Sequence, residues 1–154
     1  MKRLATLTAL AVLSTAAWAA PEIYVIDNSQ TVSRFSYRAL GVAQQTHRFD
    51  KISGRIVFDH AAKTGSADVT IDATSVNTGQ AVLDEQIQAA DFFDTANHPA
   101  ITFKSTRMKL DGDEPNVSGY LTIKGVTLPV TLALSNFQCV QEPTFKVEAC
   151  GAHA

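Results

Sequence analysis

From Ser66 to Ala73 every second residue is apolar: Ala67, Val69, Ile71 and Ala73 share one face, while Ser66, Asp68, Thr70 and Asp72 share the other. A period of two places alternate side chains on opposite sides of a pleated strand, so this segment reads as a half-buried β-strand. The alternation returns in Val117, Gly119, Leu121 and Ile123, and again in Leu128, Val130, Leu132 and Leu134. Between these two runs Lys124-Gly125-Val126-Thr127 predicts a short hairpin connection in which Gly125 takes a positive φ. Further strands are predicted over 22–27, 32–40 and 100–110, with a weaker one near 144–149. A long strand is predicted over 46–59, with a bend or bulge at Gly54.

One segment breaks the pattern. Over 79–90, Val82, Leu83, Gln86, Ile87 and Ala90 stand at helical spacing, which predicts a single short helix capped by Asn77 or Thr78 and closed by Asp91. Short strands, one helix and no alternating βαβ units predict an all-β fold with one short helix, arranged as an antiparallel β-barrel. A barrel that holds one slender ligand has about eight strands. The stretch 149–154 carries no turn or polar tail, so the barrel is expected to lack its last strands.

The N-terminus carries a different instruction. Lys2 and Arg3 precede an apolar run from Leu4 to Ala16, and Ala17-Trp18-Ala19 is an A-x-A site, so residues 1–19 read as a cleaved signal peptide. The run is too short for a spanning helix, which needs about 20 apolar residues. Removal of the first 19 of 154 residues leaves 135, enough for one domain over 20–154 with a core of its own. Export implies a periplasmic protein with no integral membrane span after cleavage, and it places Cys139 and Cys150 where disulfides persist. A bridge between them is the default reading, and closing a loop of that size contributes about 3 kcal/mol in the chain-entropy description. The formal charge of −2, with both signs interspersed, recommends neither nucleic acid nor an anionic membrane as partner.

The strand phases put Phe35, Tyr37, Ile56, Phe58, Val69, Ile71, Phe103, Leu121 and Val130 on one inward face, an apolar wall. Ala67, Ala73 and Gly119 among them leave room for a chain-like guest. Val82, Leu83 and Ile87 of the helix, followed by Phe92 and Phe93, are placed either to cap one mouth of the barrel and touch that guest or simply to cover an open end. A wall of this kind also serves as ordinary core packing, because small barrels are often filled by their own side chains.

Four stretches carry a resemblance to a known family: Gly54-Arg55-Ile56-Val57-Phe58-Asp59, 69–78 (VTIDATSVNT), 90–106 (ADFFDTANHPAITFKST) and 119–132 (GYLTIKGVTLPVTL). Together they resemble the YceI-like family of exported, lipocalin-like barrels that bind polyisoprenoids. The resemblance implies an apolar interior holding an isoprenoid-type lipid, polyprenyl or quinone-like, by burial alone. The chain departs from the family in two respects: Ala39 stands before Leu40-Gly41, where family members commonly have a histidine, and family members usually continue past the position matching Ala154 to supply the closing strands. The sequence leaves room for a homodimer. Two other readings stand beside it: a packed barrel serving as a stress-related interaction or structural protein, and a non-functional fragment.

Catalysis requires a nucleophile or an acid–base pair held together, and the candidates His47, Asp50, His60, Asp84, Asp91, His98 and His153 form no recognisable constellation. Neither His-Glu-x-x-His nor Gly-x-Ser-x-Gly nor a phosphate-cradling glycine loop occurs. No enzyme, metal or cofactor is therefore predicted.

Overall fold

A computed structural model describes residues 20–154; the predicted signal peptide, 1–19, lies outside them. The chain runs β1 (Glu22–Val25), β2 (Ser33–Ala39), β3 (Ala43–Phe49), β4 (Ile52–Asp59) and β5 (Thr64–Asp72), then a 3-10 turn (Ala73–Ser75) and β6 (Val76–Asn77). It continues through α1 (Ala81–Gln88), β7 (Ala100–Lys109), β8 (Asn116–Ile123), β9 (Val126–Ala133), β10 (Ser135–Glu142) and β11 (Val147–His153). All-β with one α-helix is thus the observed class among the described residues.

All pairings are antiparallel and form three ladders: β1-β4-β5-β7-β8-β9, β2-β3-β6 and β10-β11. The large sheet ends at β1 on one side and β9 on the other, so no closed barrel is present among the described residues. In this respect the structure differs from the barrel expected from strand content. Period-two patterning fixes which face of a strand is buried, whereas closure depends on a hydrogen-bond register between distant edges that no local pattern encodes.

The predicted strand over 46–59 is two strands, and the reason is a slip of phase. In β3 the inward residues are His47 and Phe49; in β4 they are Ile52, Gly54, Ile56 and Phe58, with Asp50 and Lys51 both exposed between them. Each strand then joins a different sheet. Asn28 holds the break, donating from Nδ2 to the Asp50 carbonyl at 3.2 Å and accepting at Oδ1 from the Ile52 amide. The Lys124-Gly125 connection is a two-residue turn with φ of 49° and 74°, joining Ile123 to Val126 as its pattern demanded.

The helix is shorter than predicted. Its first residue is preceded by Gln80, which makes no side-chain cap; Asp84 instead accepts from the Thr78 amide at 2.7 Å. In the last hairpin β10 faces β11 with Cys139 opposite Cys150, and the disulfide between them is present. Side-chain contacts tie this hairpin to the large sheet. Phe137 packs edge-on against Phe58, 5.5 Å between centroids, and Glu148 accepts from the Tyr24 hydroxyl at 2.6 Å. Loss of water around that hydroxyl, with Glu148 and Glu22 beside it, raises the phenol pKa above its usual range.

Candidate functional site: an apolar face shared by two core clusters

Two clusters organise the interior. The first gathers Phe49, Ala73, Val76, Ile87 and Ile101, with Phe35, Tyr37, Ile71, Leu83, Phe93, Leu121 and Ile123 packed against them. It lies where the small sheet β2-β3-β6, the helix and the large sheet meet. The second gathers Ala67, Phe103, Met108 and Val117 on the large sheet, flanked by Ile56, Val69, Leu121, Val130, Leu132 and Leu134 among others. Leu121 belongs to both, so the two patches form one continuous apolar surface.

The predicted wall is largely gathered there. Phe35, Tyr37, Ile56, Val69, Ile71, Phe103, Leu121 and Val130 all belong to these clusters, and most are half-buried, their apolar surface only partly covered. Phe58, 2% exposed, is instead enclosed by Phe137 and His60. Of the helix residues, Ile87 is 1% exposed and Leu83 packs beside it, but Val82 is 81% exposed on the outer side of the helix. Helical spacing placed Val82 next to Leu83 in sequence; at 100° per residue it lies round the helix from the packed stripe.

The small-sheet end of the surface is aromatic. Phe93 meets Phe35 at 5.1 Å and Phe49 at 5.5 Å, both edge to face, while Phe92, 36% exposed, meets Tyr37 at 5.3 Å. Residues 89–98 hold this corner through main-chain bonds, Phe93 to Ile87 at 3.0 Å and His98 to Asp94 at 2.8 Å. Among these rings stands His47, 5.8 Å from both Phe35 and Tyr37. Its Nε2 is buried with no hydrogen-bond partner. Sequence reasoning passed over this residue when it looked only for catalytic groupings; the signal was its place two residues before Phe49, on the inward phase.

A surface concavity of about 500 Å³ is rimmed by Asp50, Lys51, Ser75, Asn77, Gln80 and Asp84, with Val76 of the first cluster in its lining. There Asp50 accepts from Asn77 and from Arg48, which hold its carboxyl below the usual range against the opposing effect of lost hydration.

The chain thus presents an apolar surface on antiparallel sheets, edged by an aromatic corner and, at His47, by an imidazole nitrogen without a hydrogen-bond partner. The chain belongs to the YceI-like domain family, whose match spans residues 24–152. It is 39% identical over 136 residues to Protein YceI of Escherichia coli O157:H7, covering 85% of this chain and 70% of that one. Among solved structures it resembles the YceI protein of Campylobacter jejuni, at 29% identity, covering 84% and 76% of the two chains with a TM-score of 0.65. It also resembles Burkholderia cenocepacia BcnA, at 32% identity, 76% and 72% coverage and a TM-score of 0.64. A polyisoprenoid binding domain from Saccharophagus degradans shares the fold at 20% identity, covering 77% of each chain, with a TM-score of 0.51.

Proposed function

We propose that this protein is a periplasmic carrier that holds an isoprenoid-type chain, polyprenyl or quinone-like, along the apolar face joined at Leu121, and performs no chemistry on it. The observation that carries the reading is the half-burial of that face: Phe35, Tyr37, Val69, Ile71, Leu121 and Val130 are packed together yet only partly covered. A guest covering them gains about 25 cal/mol per Å² of apolar area removed from water, so a few isoprene units suffice for firm binding. The polar end of such a guest has one buried partner to meet, Nε2 of His47. Membership of a family with a polyisoprenoid binding structural relative supports the ligand class, and the predicted signal peptide supports the location.

The packed-protein reading draws on Phe58 and Phe103, which are already buried without any guest. Mass spectrometry of organic extracts separates the two, using protein purified natively from the periplasm beside an unrelated periplasmic control. A stoichiometric isoprenoid or quinone in the extract supports the carrier; a folded, empty protein supports the packed alternative. The same preparation, sequenced from its N-terminus, is expected to begin at Ala20.

A further inference from the structure

Three side chains from distant parts of the chain converge on one point at the edge of the large sheet. Glu22 comes from β1, His60 from the turn after β4 and Glu148 from β11. His60 Nε2 is 3.2 Å from Glu148 Oε1 and 3.7 Å from Glu22 Oε2, and the three donor atoms all lie within 4.8 Å of one another. The Tyr24 hydroxyl reaches all three, at 2.9 Å from Glu22, 2.8 Å from His60 and 2.6 Å from Glu148. We propose that Glu22, His60 and Glu148, oriented by the Tyr24 hydroxyl that hydrogen-bonds to all three, bind one divalent transition-metal ion of the zinc type, and that the ion clasps the β10–β11 hairpin to the first strand.

Metal–ligand bonds of about 2.0–2.2 Å in tetrahedral array place ligand atoms roughly 3.3–3.6 Å apart, close to the 3.2 and 3.7 Å that separate His60 Nε2 from the two carboxylates. The donor set is one imidazole nitrogen and two carboxylates, which suits zinc and its neighbours better than calcium or magnesium, whose sites are built from oxygen. Access is open, with the His60 and Glu148 side chains 34% and 28% exposed. The neighbouring Cys139 and Cys150 are bonded to each other, so neither thiolate competes for the ion. The geometry also assigns the ion a mechanical role, because the hairpin forms no ladder with either other sheet among the described residues.

The test is calorimetric titration of the chelator-stripped protein with Zn²⁺, repeated for His60→Gln, Glu148→Gln and, as a control, His98→Gln. One ion per chain is expected, with affinity falling by about 30-fold or more in the first two variants and unchanged in the third. Hydrogen exchange gives a second readout: Zn²⁺ is expected to slow the amides of β10 and β11 in the parent protein and not in His60→Gln. No binding, or binding that survives both His60→Gln and Glu148→Gln in proteins with parental circular dichroism, overturns the site. Binding without added protection of the hairpin overturns the clasp.

Discussion

Phe35 and Phe93 meet edge to face, their ring centroids 5.1 Å apart and their planes at 86°, and through this pair the small sheet is joined to the corner that follows the helix. Phe93 also packs against Phe49 and Phe92, at 5.5 and 5.1 Å, so a single side chain gathers three rings. Truncating it removes apolar contact and leaves a gap among rings held by separate elements. Phe93→Ala is expected to lower stability by about 3 kcal/mol in urea denaturation. The variant is also expected to lose lipid in the extraction assay, since Phe35 and Tyr37 lose their support.

His47 has a different balance. Its ring packs between Phe35 and Tyr37, but Nε2 is buried without a partner, and a buried unmade hydrogen bond costs about 1–3 kcal/mol. Replacing the imidazole with a side chain of similar bulk and no polar atom removes that cost. His47→Leu is therefore expected to raise the melting temperature of the lipid-free protein while weakening retention of a lipid with a polar head group. A lower melting temperature would show that the nitrogen is satisfied in solution.

Much of this was legible in the residues, for identifiable reasons. Strands β5, β8 and β9 announced themselves because each buries one face only, so alternation is uninterrupted; β10 did not, because Asn136, Gln138 and Gln141 dilute its pattern and only Phe137 and Cys139 point inward. The disulfide was readable from the cysteine count and the predicted export, and the pairing of Cys139 with Cys150 agrees. Most of the apolar wall followed from phase alone. The Glu22–His60–Glu148 grouping could not, since its members are separated by tens of residues and meet only through the ladder of β1 with β4 and the seating of the last hairpin.

Gly54 is required where β4 pairs with β5, opposite Val69. It adopts φ of 147°, and a Cβ there would press on the Asp68 carbonyl oxygen and stand 2.9 Å from Cα of Val69. Main chain on the partner strand cannot withdraw without breaking the β4–β5 ladder, and an L side chain rarely adopts that φ. Gly54→Ala is expected to destabilise the fold by about 3 kcal/mol or more, read as a lower denaturation midpoint with an unchanged slope. An effect below about 1 kcal/mol would mean that β4 and β5 separate more readily than their register implies.

The Cys139–Cys150 bridge links two residues that already face each other across β10 and β11, 11 apart in sequence. In the chain-entropy description a loop of this size contributes about 3 kcal/mol by restricting the unfolded chain. The hairpin it closes is tied to the large sheet mainly by Phe137 on Phe58 and Glu148 on Tyr24, whereas β5 and β7 are hydrogen-bonded on both sides. Loss of the bridge is therefore expected to act unevenly. In the double variant Cys139→Ser with Cys150→Ser, amide exchange should quicken first and most in β10 and β11, while β5, β7 and β8 keep their protection until global unfolding. Equal loss of protection in all three ladders would show instead that the hairpin folds as one cooperative unit with the large sheet.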